Sequence, residues 1–391
     1  MATDHVQDAS DFAQLRRGST RRFTFRAFQI IFLLHLYLGW RLLPDLPIDQ
    51  GMQLLGGAGL ALSSLLIPFG TLSRVFFQNQ TVIDRLTWAG SLTMGWASSL
   101  LVFTIIRDFA LLVFDLWTWK AESAVFVLGL TTIVTMIGFF NARRLAKVVY
   151  VTIPLDDLPA ALDGFTIVQI SDLHIGSTIR RDFVQPVVDR ANKLNPDVIA
   201  LTGDIVDGYV DQLAGEVAPL AGLRARHGVY LVTGNHEYYH GADAWIAAFR
   251  RLGLLPLMNE HAVLEHNGAA LVVAGINDFS ANNSTHHHVS DPRAALFECP
   301  DGAPKILLAH QPRSASAVQA AGADLQLSGH THGGQFWPWN YFVRLQQPYI
   351  AGLHRLGRMW VYTSRGTGYW GPPKRFGAPS EITLITLSRA N

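Results

Sequence analysis

Four apolar segments of about 20 residues each follow one another in the first third of the chain. They are Phe23–Leu43, Gly51–Gly70, Thr87–Ile106 and Ala121–Phe140. A helix rises about 1.5 Å per residue, so each segment is long enough to cross about 30 Å of hydrocarbon. Helices in the core of a soluble protein are usually shorter and have a polar face. The sequence therefore predicts an α-helical membrane domain with four spans at residues 23–147, preceded by a basic tail at residues 1–22.

The Lys and Arg residues that flank the four segments predict their orientation. One side carries Arg16, Arg17, Arg21, Arg22, Arg26, Arg74, Arg85, Arg143, Arg144 and Lys147. The other side carries only Arg41, Arg107 and Lys120. Because basic flanks stay in the cytoplasm, we expect a multi-pass protein of the cell (inner) membrane with both termini and the C-terminal domain in the cytoplasm. The short apolar stretch Phe109–Trp117 is interpreted as an interfacial or re-entrant piece; as part of an extra span it would place the C-terminal domain outside.

An export signal is the alternative interpretation of the N-terminal region. Thr20-Arg21-Arg22 precedes the first apolar segment, as in a twin-arginine signal. No Ala-x-Ala cleavage site follows, and three further apolar segments come after it. These two observations favour a membrane anchor.

The composition excludes several classes of protein. Apolar residues make up 49% of the chain and charged residues 16%, which excludes a disordered chain. The net charge of +1 gives no general attraction to nucleic acid. A single cysteine, Cys299, excludes a disulfide framework and a cysteine-based zinc cage. No feature of the sequence identifies a protein partner.

From about residue 148, short apolar runs alternate with amphipathic stretches, which is typical of a sheet covered by helices. The predicted strands are Thr166–Ile170, Val198–Thr202, Val229–Thr233, Val263–Glu265, Ala270–Ile276, Lys305–Ala309, Leu325–Ser328, Met359–Thr363 and Ile382–Leu387. The predicted helices are Asp182–Leu194, Val210–Leu223 and Ala242–Leu252. The polar segment Ala281–Val289, which contains a run of three histidines, is interpreted as a surface loop.

A compact polar motif follows each of five predicted strands. The motifs are Asp172-x-His174, Gly203-Asp204, Gly234-Asn235-His236-Glu237, His310 and Gly329-His330-x-His332. Ligands of open α/β sheets bind beyond the carboxyl ends of the strands, so we expect these motifs to meet at one edge. Any one of them alone is usually only a turn. Together their carboxylate, amide and imidazole groups predict a pair of divalent metal ions such as Mn, Fe or Zn.

The order and spacing of these motifs resemble the calcineurin-like metallophosphoesterases over roughly residues 148–391. The resemblance is strongest to the membrane-anchored branch, in which a transmembrane segment precedes the phosphoesterase domain. The tail supports this with Ser364-Arg365-Gly366-Thr367-Gly368, Gly371-Pro372-Pro373 and Pro379-Ser380-Glu381-Ile382. The resemblance implies an α/β catalytic domain at residues 148–391, built as a four-layer α/β/β/α sandwich of the metallo-dependent phosphatase type.

The resemblance also implies a set of metal ligands. Three side chains would hold one metal, three others would hold the second, and one carboxylate would bridge the two. The first set is Asp172, His174 and His332, the second is Asn235, His310 and His330, and the bridge is Asp204. A hydroxide between the metals would then act as the nucleophile on phosphorus.

Further residues receive roles by the same resemblance. His236 would assist the leaving group, and Glu237 would orient a neighbouring imidazole. The candidate contacts of the substrate phosphate are Gly334, Gln335, Arg365 and Arg375. A salt bridge is the alternative role for either arginine.

The leading hypothesis is a membrane-bound, metal-dependent phosphoric ester hydrolase. Membrane attachment favours a phosphorylated, lipid-linked substrate, and relatives that act in lipid A biosynthesis make UDP-2,3-diacylglucosamine the sharpest candidate. Those relatives usually lack such an anchor and usually carry arginine in place of His236. A general phosphodiesterase, a phospholipid phosphoesterase and a non-catalytic membrane sensor or scaffold are the alternatives. A transporter is disfavoured because the four spans lack charged residues at mid-membrane.

Overall fold

The computed structural model describes residues 26–283 and 288–390. The predicted basic tail at residues 1–22 and part of the predicted loop at residues 281–289 lie outside this range. The chain divides into two compact units, Met1–Met136 and Ile137–Asn391. The predicted domain bounds, 23–147 and 148–391, stay predictions, and the two units are described separately below.

Four long apolar helices make up most of the described part of the first unit, and the last of them ends in the second unit. They are α1 (Arg26–Asp45), α2 (Gln50–Thr71), α4 (Gln80–Val113) and α5 (Lys120–Arg143), with a short α3 (Ser73–Phe76) after α2. Each long helix is sufficiently long and apolar to cross a membrane, which confirms the four predicted spans. Side chains such as Leu33, Leu55 and Phe126 are exposed, as expected for helices that face lipid. α2 and α4 cross where Gly70 meets Gly90, since a Cβ on either glycine would collide with the backbone of the other helix.

The structure corrects the interpretation of Phe109–Trp117 as a separate re-entrant piece. α4 continues without a break to Val113, so the first half of this stretch extends the helix that contains the predicted span Thr87–Ile106. The charged residues just before it do not end the helix because they are paired. Asp108 accepts hydrogen bonds from Arg41, with Nε at 2.7 Å, and Arg107 pairs with Asp45. The described residues contain no fifth span.

Twelve strands form two sheets in the described part of the second unit. In chain order they are β1 (Lys147–Leu155), β2 (Thr166–Ile170), β3 (Val198–Thr202), β4 (Val229–Val232), β5 (Leu255–Pro256), β6 (Glu260–His266), β7 (Ala269–Gly275), β8 (Lys305–Leu308), β9 (Leu325–Ser328), β10 (Gly352–Leu356), β11 (Met359–Thr363) and β12 (Glu381–Arg389). The first sheet has the order β1-β12-β2-β3-β4-β5, and the second has the order β10-β11-β9-β8-β7-β6. β2, β3, β4 and β5 run parallel, as do β7, β8, β9 and β11.

The described helices of the second unit are α6 (Arg181–Asn192), α7 (Val210–Val217), α8 (Asn235–Tyr239), α9 (Ala242–Arg251), α10 (Pro292–Ala295), α11 (Ala315–Ala320) and α12 (Trp339–Val343). α6, α7 and α9 cover the outer face of the first sheet, and α10 and α11 cover that of the second. One apolar core lies between the first sheet and α6, α7 and α9, and contains Phe183 and Trp245. A second lies between the sheets, and a third, with Val318, lies beneath α10 and α11. This arrangement confirms the predicted four-layer α/β/β/α sandwich.

Candidate metal centre

The carboxyl ends of parallel strands from both sheets bring the predicted metal ligands together. Asp172 and His174 follow β2, Asp204 follows β3, Asn235 and His236 open α8 after β4, His310 follows β8, and His330 and His332 follow β9. Gln169 of β2 joins the two sheets here, because its amide donates to Thr202 Oγ1 at 2.8 Å and to the carbonyl of Ser328 at 2.9 Å. These hydrogen bonds therefore fix the ends of β2, β3 and β9 relative to one another.

The first group of ligands consists of Asp172, His174 and His332. Their donor atoms all lie within 4.8 Å of one another, and all three side chains are buried. The Nε2 atoms of His174 and His332 are 3.0 Å apart, and His332 Nε2 is 3.4 Å from Asp172 Oδ1. Two ring nitrogens and a carboxylate oxygen thus face one point, as metal ligands do.

The second group consists of Asp204, His310 and His330. His310 Nε2 lies 3.1 Å from Asp204 Oδ2 and 3.2 Å from His330 Nδ1. His310 Nδ1 donates to the carbonyl of Thr202 at 2.8 Å, which leaves Nε2 free to coordinate an ion. Asn235 comes directly before the backbone N–H that binds Asp204, and its Oδ1 is buried and has no hydrogen-bond partner. A buried amide oxygen without a partner is costly unless a cation binds it.

A single oxygen of Asp204 faces both groups. Oδ2 is 3.1 Å from His310 Nε2 and 3.8 Å from His174 Nε2. The other oxygen, Oδ1, accepts the backbone N–H of His236 at 2.9 Å, which leaves Oδ2 to face the histidines. Asp204 is thus placed to serve both groups at once.

The electrostatics of the site fit bound cations. Burial favours the neutral form of Asp204, but His310 and His236 hold the pKa of that carboxyl well below its usual range. Burial disfavours charge on His310, but Asp204 raises its pKa well above the usual value. Burial and the charge of His310 lower the pKa of His330 to about 3, and burial and Arg375 lower the pKa of His332 well below normal. His330 and His332 are therefore neutral beside an anionic carboxylate, as ligands of a divalent ion must be, whereas His310 has to release its proton when an ion binds.

Five of the predicted ligands have a left-handed backbone. The φ angles are 54° for Asp172, 51° for His174, 52° for Asp204, 69° for His330 and 52° for His332. Non-glycine residues rarely adopt this conformation, which costs about 1–2 kcal/mol each. Hydrogen bonds hold it in place: the Asp172 carboxylate accepts the backbone N–H of His330 at 2.9 Å. Such strain, fixed by the surrounding structure, is typical of a functional site.

Glycines allow the strand ends to approach one another. Gly203 has φ +88°, and a Cβ at this position would lie 2.7 Å from His310 Nδ1. A Cβ on Gly329 would collide with Ser171 Oγ and Asp172 Oδ2. Any larger residue at either position would displace a predicted ligand.

His236 lies at the edge of both groups and is held by an aspartate that the motifs do not include. Its Nδ1 is 2.5 Å from Asp207 Oδ1, and its Nε2 is 3.9 Å from Asp204 Oδ2. Burial lowers the pKa of His236, but Asp204 and Asp207 more than offset this and raise it to about 9. Asp207 also lies 3.4 Å from His174 Nδ1. The sequence signal for Asp207 is a second acid three residues after Asp204, in Gly203-Asp204-Ile205-Val206-Asp207.

Glu237 binds backbone amides, which corrects its predicted role of orienting an imidazole. One oxygen, Oε2, accepts the N–H groups of Gly234 at 2.6 Å and Asp204 at 3.0 Å. The other, Oε1, accepts those of Ile205 at 2.8 Å and Val206 at 3.1 Å. The side chain therefore ties the loop after β3 to the loop after β4 and fixes the backbone of Asp204.

The residues predicted to contact the substrate phosphate make contacts within the protein, and their contact with a substrate stays a prediction. The Gln335 amide donates to the carbonyls of Trp370 and Pro372, each at 2.9 Å, and accepts the N–H of Trp370. Gly334 has φ +80° and lies against the backbone of Asn340. Both residues thus shape the loop that follows His332.

The two candidate arginines are also paired within the protein. Arg365 Nη1 donates to buried Glu381 at 2.8 Å, as in the salt-bridge alternative. Arg375 is buried, donates to the carbonyl of His332 at 2.8 Å, and has Nη2 3.0 Å from His332 Nδ1. Arg375 therefore positions His332 in the first group.

Comparison with known proteins places this site in a family. A family model described as calcineurin-like phosphoesterase matches residues 165–334. A transmembrane protein with metallophosphoesterase domain from Danio rerio is 38% identical over 277 residues, which cover 69% of this chain and 63% of that protein. An uncharacterised metallophosphoesterase of Helicobacter pylori is 36% identical, covering 65% and 67%, and one of Aquifex aeolicus is 32% identical, covering 60% and 89%.

The chain belongs to the calcineurin-like phosphoesterase family, as its motifs indicate. Its four apolar helices and its similarity to relatives named as transmembrane proteins support a membrane protein. The matches span about three fifths of the length of the first curated relatives. Membership of this family supports a metal-dependent phosphoester hydrolase.

Proposed function

We propose that the protein is a membrane-anchored phosphoesterase with two divalent metal ions and a lipid-linked substrate. The observation that carries the proposal is the position of Asp204, whose Oδ2 lies 3.1 Å from a nitrogen of the second group and 3.8 Å from a nitrogen of the first. A carboxylate between two such groups can bridge two cations and reduce their mutual repulsion.

The metal ions would be held by side chains that already converge. Asp172, His174 and His332 would hold one ion, Asn235, His310 and His330 the other, and Asp204 both. Divalent Mn, Fe or Zn at such a site supplies Lewis acidity for the phosphoryl oxygens and water activated for attack near neutral pH. The free oxygen of Asn235 and the neutral rings of His330 and His332 fit this role.

The residues of the chain contribute proton transfer and orientation. Asp207 binds Nδ1 of His236, which fixes the ring and leaves Nε2 facing the site. From there Nε2 can donate a proton to the departing oxygen of a phosphoric ester. Arg375 and Glu237 act indirectly, by positioning predicted metal ligands. Arg375 positions His332, and Glu237 holds the backbone of Asp204.

Exposed aromatic side chains beside His236 support an apolar group on the substrate. The ring of Trp370 lies 5.8 Å from the His236 ring, and Trp370 is 51% exposed. The ring of Tyr239 lies 5.1 Å from the same imidazole, and Tyr239 is 60% exposed. Exposed aromatics at the mouth of a polar site favour a substrate with an apolar portion. Together with the membrane helices they favour a lipid-linked phosphate, of which UDP-2,3-diacylglucosamine is the sharpest candidate.

We further propose that the catalytic domain lies in the cytoplasm. Ten Lys and Arg residues flank the spans on the proposed cytoplasmic side and three flank them on the other, and this excess supports the orientation.

The test is hydrolysis by the full-length, detergent-purified protein loaded with Mn. UDP-2,3-diacylglucosamine and bis-p-nitrophenyl phosphate are offered side by side. Asp204→Asn and His236→Ala are the inactivating variants, and His261→Ala, a histidine outside the site, is the matched control. We expect release of UMP that is lost in the first two variants and kept in the control.

Each other outcome assigns the protein differently. Cleavage of the artificial diester alone would keep a phosphoesterase and remove the named substrate, leaving a general phosphodiesterase or phospholipid phosphoesterase. No turnover of either, with metal bound, would favour a sensor or scaffold. Activity that survives in Asp204→Asn would contradict the proposed role of Asp204.

A further inference from the structure

A second cluster of metal-ligating side chains lies outside the candidate metal centre. It consists of Asp197, His227 and His266, whose donor atoms all lie within 4.8 Å of one another. Asp197 directly precedes β3, His227 lies just before β4, and His266 ends β6. The cluster is therefore at the amino ends of β3 and β4, whereas Asp204 follows the carboxyl end of β3. A five-residue strand separates the two places by about 16 Å, so this cluster is independent of the reacting atoms.

The donor atoms of the cluster are arranged as in the two groups at the candidate metal centre. His227 Nε2 and His266 Nδ1 are 3.0 Å apart, the same separation as between the Nε2 atoms of His174 and His332. Asp197 Oδ1 is 3.8 Å from His266 Nδ1. The three atoms that face one another are thus two ring nitrogens and one carboxylate oxygen.

Neighbouring groups hold these side chains in place. Asp197 Oδ2 accepts the backbone N–H and the hydroxyl of Thr166, both at 2.9 Å, which leaves Oδ1 to face the histidines. Both imidazoles pack against Phe165, with ring centroids 6.0 Å away for His227 and 5.0 Å away for His266. The geometry is therefore preformed, which reduces the cost of ordering ligands around an ion.

The charges around the cluster are compatible with a bound cation. Asp197 supplies the negative charge. Arg226 is the one nearby cation among the described groups that face Asp197, at 4.0 Å, and its side chain is 57% exposed. It can turn into solvent when an ion binds.

We propose that Asp197, His227 and His266 bind one zinc ion, with water in the fourth position. Two imidazoles and one carboxylate suit Zn²⁺ in tetrahedral geometry. The ion would connect β3 and β4 of the first sheet to β6 of the second, and so link the two sheets at the edge opposite the candidate metal centre. At about 16 Å from Asp204 the ion would not contact a phosphate bound there, so its expected effect is to stabilise the packing of the two sheets.

The test is zinc binding by the full-length protein in detergent, after removal of all metals with a chelator. Bound zinc is counted by elemental mass spectrometry, and the unfolding midpoint is followed with and without zinc. The variants are His227→Gln and Asp197→Asn, and the matched control is His261→Gln. Asp197→Asn keeps an oxygen for Thr166 and should fold even if His227→Gln does not.

We expect each of the two variants to bind one zinc ion fewer than the wild type and than His261→Gln. Zinc should still raise the unfolding midpoint of Asp204→Asn, since the proposed site is intact there, and should raise that of Asp197→Asn by less. Equal zinc content in the wild type and in both cluster variants would overturn the proposal. Equal zinc content in the wild type and in Asp204→Asn would contradict only the role of Asp204 in binding an ion at the candidate metal centre.

Discussion

Replacing Glu237 by glutamine should destabilise the catalytic domain strongly, although the change is nearly isosteric. Each carboxylate oxygen of Glu237 accepts two backbone N–H groups, from Gly234 and Asp204 on one side and from Ile205 and Val206 on the other. A glutamine has one oxygen and one NH₂ group. Whichever way the amide is turned, two buried N–H donors lose their acceptor and face another donor.

The size of the effect follows from these contacts. A buried donor without an acceptor costs about 1–3 kcal/mol, so two of them should cost about 2–6 kcal/mol of the free energy of unfolding. For a domain of this size, a loss of that magnitude lowers the unfolding midpoint by roughly 5–20 °C. Metal affinity should fall as well, because the N–H of Asp204 is one of the four donors.

The measurement is thermal unfolding of the full-length protein in detergent, followed by intrinsic tryptophan fluorescence. Glu265→Gln is the matched control, because Glu265 is exposed on β6 and the same change there should leave the midpoint unchanged. Zinc or manganese titration of both variants measures the effect on metal affinity. A midpoint for Glu237→Gln within about 2 °C of the wild type would refute the account of the four amides.

Three further predictions concern the substrate, the pH dependence and the orientation. Trp370→Ala should raise KM for a lipid-linked substrate about tenfold, as expected for loss of about 1.4 kcal/mol of apolar contact, and leave hydrolysis of bis-p-nitrophenyl phosphate unchanged. Equal effects on both substrates would contradict the proposal that Trp370 contacts an apolar group of the substrate. In the metal-free protein the raised pKa of His236 makes a stabilising contribution that is complete below its unfolded value of about 6.5 and is lost as the pH rises through about 9. Asp207→Asn should reduce this loss in unfolding experiments at pH 6–9, because Asp204 alone then raises the pKa less than both aspartates do; an unchanged loss would contradict the role of Asp207. Asp157 is exposed in the catalytic domain, so the variant Asp157→Cys, made in a Cys299→Ser background, reports which side of the membrane this domain faces. Its thiol should react with a membrane-impermeant maleimide only after the cells are opened. Labelling of intact cells would refute the cytoplasmic orientation.

The parallel strands that carry the site could be predicted closely from the sequence. Thr166–Ile170, Val198–Thr202, Leu325–Ser328 and Met359–Thr363 have the predicted bounds. These strands are buried on both faces, so they appear as short continuous apolar runs that end at polar motifs. The order of the motifs along the chain was then sufficient to predict that their side chains meet.

Other strands lacked such a signal. β1 follows α5 closely and is only half buried, so its start at Lys147 is not marked by a change in composition. β10 lies at the edge of the second sheet and has mixed composition. The predicted helix Val210–Leu223 becomes an α-helix up to Val217 and then a tighter turn that contains Pro219, because proline lacks the N–H that the helix requires.

Roles that depend on tertiary contacts could not be predicted. Gln335 and Arg375 stand in a polar, glycine-rich region, which suggested contacts with phosphate. In the structure Gln335 binds backbone groups of Trp370 and Pro372, and Arg375 binds the carbonyl of Arg365 and the ring of His332. Asp207 was missed for the same reason, since only the fold brings it to His236.

The position of β12 determines the order in which the protein can be completed during synthesis. β12 lies between β1 and β2, and Lys147 of β1 is paired with Glu381. The ribosome makes the apolar helices and β1 long before it makes β12, so β2 and the loop with Asp172 lack one neighbouring strand for most of translation. Until then the nascent catalytic domain has open strand edges that favour mispairing. We therefore expect the newly made chain to be held at the membrane by its helices while chaperones protect its unfinished sheet, and to acquire metal only after the residues of β12 have left the ribosome.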